Sequence, residues 1–319
     1  MSSFDLTRQR VWVAGHRGMA GSAIVRRLAR ESCDTVTVTR SELDLLSQAD
    51  VNAWMADAKI DVVFLAAATV GGIMANAEHP AKFLYENVVI ATNVIHAAWR
   101  TRVKKLLFLG SSCIYPRLAQ QPIHEEALLT GALEPTNEWY AIAKITGIKL
   151  CQAFRREHGC DFVSVMPTNL YGPGDRYDAQ SGHVVAALIM KIHAAKIANS
   201  RTVELWGTGT PKREFLFSED LADACIFVMK NYSGEQFLNV GTGHDLTILE
   251  LAQSIAKIIG WAGTFTFDTS KPDGTPRKVM DVSRLRALGW CAPTDFETGM
   301  KEAYKWYVAN VAESSALTA

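Results

Sequence analysis

The chain has 319 residues, with 33 Lys+Arg balanced by 33 Asp+Glu, and six cysteines. Zero formal charge gives no overall pull toward nucleic acid or an anionic membrane surface, and no 18-residue apolar run is available to span a bilayer. The cysteines, at positions 33, 113, 151, 160, 225 and 291, show neither CxxC spacing nor a partnering His cluster. No metal site is therefore expected, and reduced thiols in a cytoplasmic protein are. Met1–Arg10 carries no apolar segment of the signal-peptide kind, which fits the same location.

Arg10–Ala14 (RVWVA) is a strand by its β-branched and aromatic content. Gly15-His16-Arg17-Gly18-Met19-Ala20-Gly21 follows it directly, with the spacing GxxGxxG. Gly21–Arg30 then reads as an amphipathic helix with Ile24, Val25 and Leu28 turned inward. Glycines between strand and helix allow a tight turn and a close approach of backbone to pyrophosphate, which meets the free N–H groups of the helix start. Thr35–Thr39 is a second strand. Where NAD enzymes usually place an acid for the ribose 2′-hydroxyl, this chain has Arg40 followed by Ser41. A guanidinium suits a 2′-phosphate, and Arg17 adds a second cation, so the expected cofactor is NADP(H).

Further strands are expected at Val62–Leu65, Lys105–Leu109 and Val163–Met166. Strands alternating with helices imply an α/β fold with a Rossmann-type doubly wound parallel sheet. The fourth strand runs into Gly110, Ser111, Ser112 and Cys113, at the sheet edge where ligands bind. Tyr140 and Lys144 are spaced i,i+4 on one helical face. A neighbouring ammonium favours the phenolate and is expected to lower the phenol toward neutrality. A tyrosine exchanging protons near neutral pH, with Ser111 bonded to the same carbonyl oxygen, serves hydride transfer to a ketone.

After Pro167 the texture changes. Tyr171–Gly182, Trp206–Pro211 and Lys271–Pro276 are rich in turn formers, with a helix over His183–Ile197. The expected division is a cofactor-binding domain of residues 1–168 plus about 213–240, and a smaller mixed α/β substrate domain of about 169–212 plus 241–319. The doublets Arg26-Arg27, Lys104-Lys105 and Arg155-Arg156 read as solvated surface. Cys33, Cys151, Cys160, Cys225 and Cys291 read as packing cysteines.

The glycine turn, GSSCIYP, NEWYAIAK, MPTNLYGPGD, WGTGTPKREF and KPDGTPRK together resemble the GDP-L-fucose synthase family of extended short-chain dehydrogenases/reductases, from about Arg10 to Trp290. The resemblance implies a bifunctional enzyme. It would epimerise GDP-4-keto-6-deoxy-D-mannose at C3 and C5, then reduce C4 with NADPH to GDP-L-fucose. It implies Ser111, Tyr140 and Lys144 as the reductive triad, and Cys113 with His183 as the epimerisation acid/base pair. To the cofactor it gives the Gly15–Gly21 turn with His16 and Met19, Arg40, Ser41, Leu109, Gly110, Lys144, Pro167, Asn169, Leu170 and His183. To the substrate it gives Ser111, Asn169, Lys191, Trp206, Arg213, Lys271, Asp273 and Arg277, with Asp273 suited to guanine N1–H and N2–H. Lys191 stands where the family often has Arg, keeping charge but losing the bidentate fork. A homodimer is also implied, with Ile145, Ile148 and Leu150 offering apolar surface that serves either a partner or the subunit's own core. The alternatives are another nucleotide-sugar epimerase, reductase or dehydratase, or a dinucleotide-binding sensor without turnover. Related dehydratases carry an acid at the position of Cys113.

Overall fold

The structure is a computed structural model that describes residues 3–178, 182–271 and 273–312. Its first half runs β1 (Arg10–Ala14), α1 (Met19–Leu28), β2 (Asp34–Val36), α2 (Gln48–Ala58), β3 (Val62–Leu65), α3 (Ile73–Glu78), α4 (Pro80–Arg100), β4 (Lys105–Leu109), α5 (Glu138–His158) and β5 (Phe162–Pro167). It continues with β6 (Asn169–Tyr171), α6 (Val184–Ile197), β7 (Thr202–Trp206), β8 (Lys212–Phe217), α7 (Ser218–Asn231), β9 (Leu238–Val240), β10 (Asp245–Thr247), α8 (Ile248–Ile259), β11 (Thr264–Asp268), β12 (Arg277–Lys278), α9 (Ser283–Ala287) and α10 (Phe296–Tyr307).

Six strands form one parallel sheet in the order β2-β1-β3-β4-β5-β9. Every residue of β3 and β4 is buried, because helices cover both faces. Trp12, Leu65 and Phe108 pack into one core with residues of α2, α4 and α5. Val11, Phe64 and Leu107 pack into the other with residues of α1 and α7. The chain leaves β1 on one side to make β2 and on the other to make β3, so a crevice opens beyond the carboxyl ends of β1 and β3.

Strand β2 stops at Val36, short of the expected Thr39. The Glu42 carboxylate explains this, since it accepts from Thr39 N at 2.8 Å and Thr39 Oγ1 at 2.6 Å. That bend carries Arg40 past the strand end and commits the Glu42 carboxylate to Thr39.

The charged doublets are not all solvated surface. Lys105 is 2% exposed and donates to Tyr232 O at 2.6 Å, with Asp161 at 3.2 Å. Arg155 pairs with the same Asp161. Arg27 bonds Asp223 at 2.8 Å and Glu31 at 2.9 Å, tying α1 to α7. A buried ammonium is retained only where acceptors satisfy it.

The second half builds a smaller sheet, β10-β8-β12 with β6 also paired to β8, and a two-stranded ribbon of β7 and β11. These strands are two to six residues long. A third core gathers Ile189 and Ile192 of α6, Ile255 of α8, Met300 of α10, and Phe215 and Phe217 of β8. Leu216, between those phenylalanines, belongs to the core beneath α1 and α7. Alternation along one strand therefore joins two cores. No helix among the described residues is long and apolar enough to cross a membrane.

Candidate active site

The glycine turn is shaped by backbone contacts. Gly15 has φ +87°, and a Cβ there would lie 2.6 Å from Ala67 N; one on Gly21 would lie 2.2 Å from Gly15 O. Any side chain at either position would force the turn apart. Gly18 differs. An added Cβ meets only Gly15 O, at 3.6 Å, so the protein's own packing does not require glycine there. Gly18 caps the start of α1, where a missing side chain leaves the helix N–H groups open to an anion. Arg17 and Arg40 line the same cleft, and neither makes a hydrogen bond or ion pair among the described residues. His16 also lines it; burial and Arg17 push its imidazole below its ordinary range. Ser41 lies off the cleft, its hydroxyl 2.9 Å from that of Thr39.

The cleft has a volume of about 800 Å³ and runs from this turn across the ends of β4 and β5. Leu109, Gly110, Pro167, Asn169 and Leu170 form part of its wall. Asn169 Nδ2 donates to Glu214 O at 2.8 Å, which fixes its amide. Ser111 lies at the end of β4, and its Oγ accepts from Cys113 N at 3.4 Å, capping a single 3-10 turn over Ser112–Ile114. That turn places Ser111 and Cys113 in the cleft wall together. Tyr140 and Lys144 reach the cleft from α5.

Lys144 Nζ donates to Leu109 O at 2.9 Å and lies 5.6 Å from the Tyr140 ring centre. Burial pushes this ammonium down to about 8. Burial also pushes the Tyr140 phenol well above its ordinary range. The expected lowering of the phenol is therefore reversed: burial raises it and Cys113 adds to the rise, while Lys144 directs its proton at a carbonyl. Tyr140 keeps its proton across the neutral range, which makes it a donor.

Cys113 is 8% exposed. Burial raises its thiol, while Lys278, the Ser111 hydroxyl and Lys144 act in the opposite sense. His183 caps α6 at the far side of the same cleft. Its Nδ1 is 3.5 Å from Asp175 Oδ1, and Asp175 raises the imidazole above its ordinary value against the effect of burial. Asp175 is only 3% exposed in its side chain, and its Oδ2 has no partner among the described residues. Nothing in the sequence singled out Asp175, because it sits eight residues before His183 in an irregular loop.

Two more wall residues escaped sequence reasoning. Asn137, at the start of α5, has a buried Oδ1 without a partner among the described residues. Glu134 forms an ion pair with Arg117 at 3.3 Å. In β12, Arg277 pairs with Asp245 and does not line the cleft, whereas its neighbour Lys278 does. Strand alternation sends the two cations to opposite faces.

Other expected substrate residues gather beside the cleft. Lys191 and Lys271 stand 5.1 and 5.7 Å from the centre of the Trp206 ring, which is 49% exposed. Lys191 also donates to Glu204 O at 3.1 Å. The Asp273 carboxylate accepts from Thr208 N at 2.7 Å and Thr208 Oγ1 at 2.8 Å. Arg213 Nη2 donates to Asp273 O at 3.4 Å while lining the cleft, so it links the two clusters. Among the described residues no group of three or more His, Cys, Asp or Glu could hold a metal ion. All six cysteines are free.

Residues 11–241 match the NAD dependent epimerase/dehydratase family. A GDP-L-fucose synthase of Sinorhizobium fredii is 52% identical over 98% of this chain and all of its own length. That of Escherichia coli is 52% identical over 96% of this chain and 98% of its own. Among solved structures, a GDP-L-fucose synthetase from Naegleria fowleri bound to NADP superposes with a TM-score of 0.90, at 27% identity, covering 98% of each chain. The chain belongs to the NAD dependent epimerase/dehydratase family and, within it, to the GDP-L-fucose synthases.

Proposed function

We propose that this protein makes GDP-L-fucose from GDP-4-keto-6-deoxy-D-mannose, epimerising C3 and C5 and then reducing C4. The observation that carries the reading is a thiol and an imidazole lining the same cleft as a Ser/Tyr/Lys reductive set. A reductase alone has no use for the first two.

The C4 ketone acidifies the protons on C3 and C5. Cys113, as thiolate, removes one of them, and Ser111 and Tyr140 hydrogen-bond the enolate oxygen that forms. His183, whose imidazole Asp175 raises above its ordinary value, returns a proton on the opposite face and inverts the carbon. Once Cys113 has released its proton to solvent and His183 has regained one, the same pair serves the other carbon. The cofactor is NADP(H), and when bound it supplies the hydride for C4. The open helix start at Gly18 fits its pyrophosphate, and the unpaired Arg17 and Arg40 fit its 2′-phosphate. Tyr140, which holds its proton, gives it to the C4 oxygen, while Lys144 and its bond to Leu109 O fix the helix face that presents Tyr140.

The cofactor falls to the lobe of residues 1–168 with about 213–240, and the sugar nucleotide to the lobe of about 169–212 with 241–319. Arg213, Lys191 and Lys271 offer cations to the diphosphate, and the exposed indole of Trp206 offers a stacking face to the base. The subunits pair through α4 and α5, which leave Tyr85, Trp139 and Ile142 exposed. Ile145 and Ile148 do not take part, being buried in their own subunit's core with Leu150 packed against it. A cytoplasmic location completes the reading.

The test is incubation with GDP-4-keto-6-deoxy-D-mannose and NADPH in D₂O, with the product identified by NMR. GDP-L-fucose deuterated at C3 and C5 is expected, and Cys113→Ser removes the deuterium. Reduction of the unepimerised sugar by the wild type, or undiminished exchange in Cys113→Ser, overturns the reading.

A further inference from the structure

Lys278 has no role in the chemistry described so far, yet it is a cation with an unusual setting. It occupies the last position of β12, half-buried, in register with Arg213 of β8. Its neighbour Arg277 faces the other way and pairs with Asp245. Lys278 lines the cleft that Cys113 lines, and among the described residues its side chain makes no hydrogen bond or ion pair. An ammonium drawn out of water without a direct acceptor is costly, and an anion forming in the cleft would relieve that cost.

The backbone that aims it is held firmly. The carboxylate of Glu214, fully buried, accepts from Met280 N at 2.9 Å, Thr242 N at 2.6 Å and Gly243 N at 2.7 Å. Met280 lies two residues after Lys278, so the strand end cannot swing away without breaking a buried carboxylate's bonds.

We infer that Lys278 is the positioning residue that holds Cys113 as the thiolate for proton abstraction, a role that rests on the epimerase reading given above. The groups facing Cys113 come from three elements: Lys278 of β12, Lys144 and Tyr140 of α5, and Ser111 of its own turn. Tyr140 is a neutral donor and Lys144 is directed at Leu109 O, which leaves Lys278 as the uncommitted cation. Lys278 is itself faced by Arg213, Glu134 and Glu214. When Cys113 takes the proton from C3 or C5, the negative charge passes from sulfur to the sugar's enolate oxygen within the same cleft, and the cation remains close to it throughout.

The experiment measures the rate of iodoacetamide alkylation at Cys113 against pH, followed by peptide mass spectrometry so that the other cysteines do not contribute. The full-length wild type, Lys278→Met and Lys278→Arg are compared, each checked for NADPH binding. In Lys278→Met the midpoint should rise by about one pH unit, as expected on losing a nearby opposite charge. Alkylation near neutrality and deuterium uptake at C3 and C5 should then both fall about tenfold. Lys278→Arg should restore the midpoint. An unmoved midpoint in Lys278→Met that still binds NADPH overturns the inference, as does a shift that Lys278→Arg fails to reverse. Wild-type protein that takes up no deuterium at all overturns the epimerase reading instead, and the alkylation curves still report on Lys278.

Discussion

Replacing Asp175 by Asn tests whether His183 is the acid of the epimerisation. The two side chains are 3.5 Å apart. At that separation unit charges attract by about 5 kcal/mol at an effective dielectric of about 20, and by about 1 kcal/mol in water. The imidazole is 46% exposed in its side chain, so solvent screens the pair and the lower part of that range applies. A loss of about 1.4 kcal/mol corresponds to roughly one pH unit. Asp175 raises His183 above its ordinary value of 6.5; removing it leaves burial to lower the imidazole. The acid form then disappears at lower pH. In Asp175→Asn the alkaline limb of deuterium incorporation at C3 and C5 should move down by about one unit, while NADPH binding at pH 7 stays unchanged. A titration of the His183 ring by NMR should move by the same amount. Because the folded-state value is raised, the pair stabilises the wild type fully below the unfolded value and less as pH rises through the folded value. The variant's stability deficit should therefore be largest near pH 5.5 and absent near pH 9. An alkaline limb that stays in place while the ring titration moves would show that another group donates the proton.

Arg40→Glu should raise the KM for NADPH by about 100-fold, and that for NADH by much less, since a repelled 2′-phosphate replaces an attracted one; equal changes in the two constants would refute the role of Arg40. Lys144→Met should abolish reduction and yet stabilise the fold. Its ammonium is pushed down from 10.5 to about 8, a burial cost of about 3 kcal/mol, against about 1 kcal/mol for the lost bond to Leu109 O. The unfolded chain binds the extra proton between those values, so wild-type stability should climb over that pH range, and the variant's net advantage of about 2 kcal/mol in urea unfolding should vanish near pH 9.5, about 1.5 units above the folded value.

The parts of the site that sequence made legible are those fixed by neighbouring residues. The glycine turn sits between a strand and a helix within twelve residues, and the spacing of Tyr140 and Lys144 follows from a single helix. Strands β3, β4 and β5 stood out because burial on both faces keeps them apolar throughout. The second sheet did not. Its strands are short, their partners lie far along the chain, and β7 alternates between exposed and buried, so turn residues dominated the pattern. Without β12, nothing showed that Lys278 rather than Arg277 faces the cleft. Asp175 lies in a loop with no periodicity to place it. The direction taken by the Tyr140 phenol was also beyond spacing arguments, since it depends on how much water the fold removes. Lys105 and Arg155 were misread for the same reason: a charge doublet gives no sign of the Asp161 that awaits it.

Strand β8 sends Leu216 into one core and Phe215 and Phe217 into another. For anyone recombining this chain with a relative of different sugar specificity, this matters more than the loops do. A crossover placed on either side of β8 leaves one parent's strand packed between cores of mixed ancestry, and three side chains must then suit two sets of neighbours at once. Chimeras that exchange the strand together with the residues on both of its flanks will express and fold far more often than those that follow the cofactor boundary.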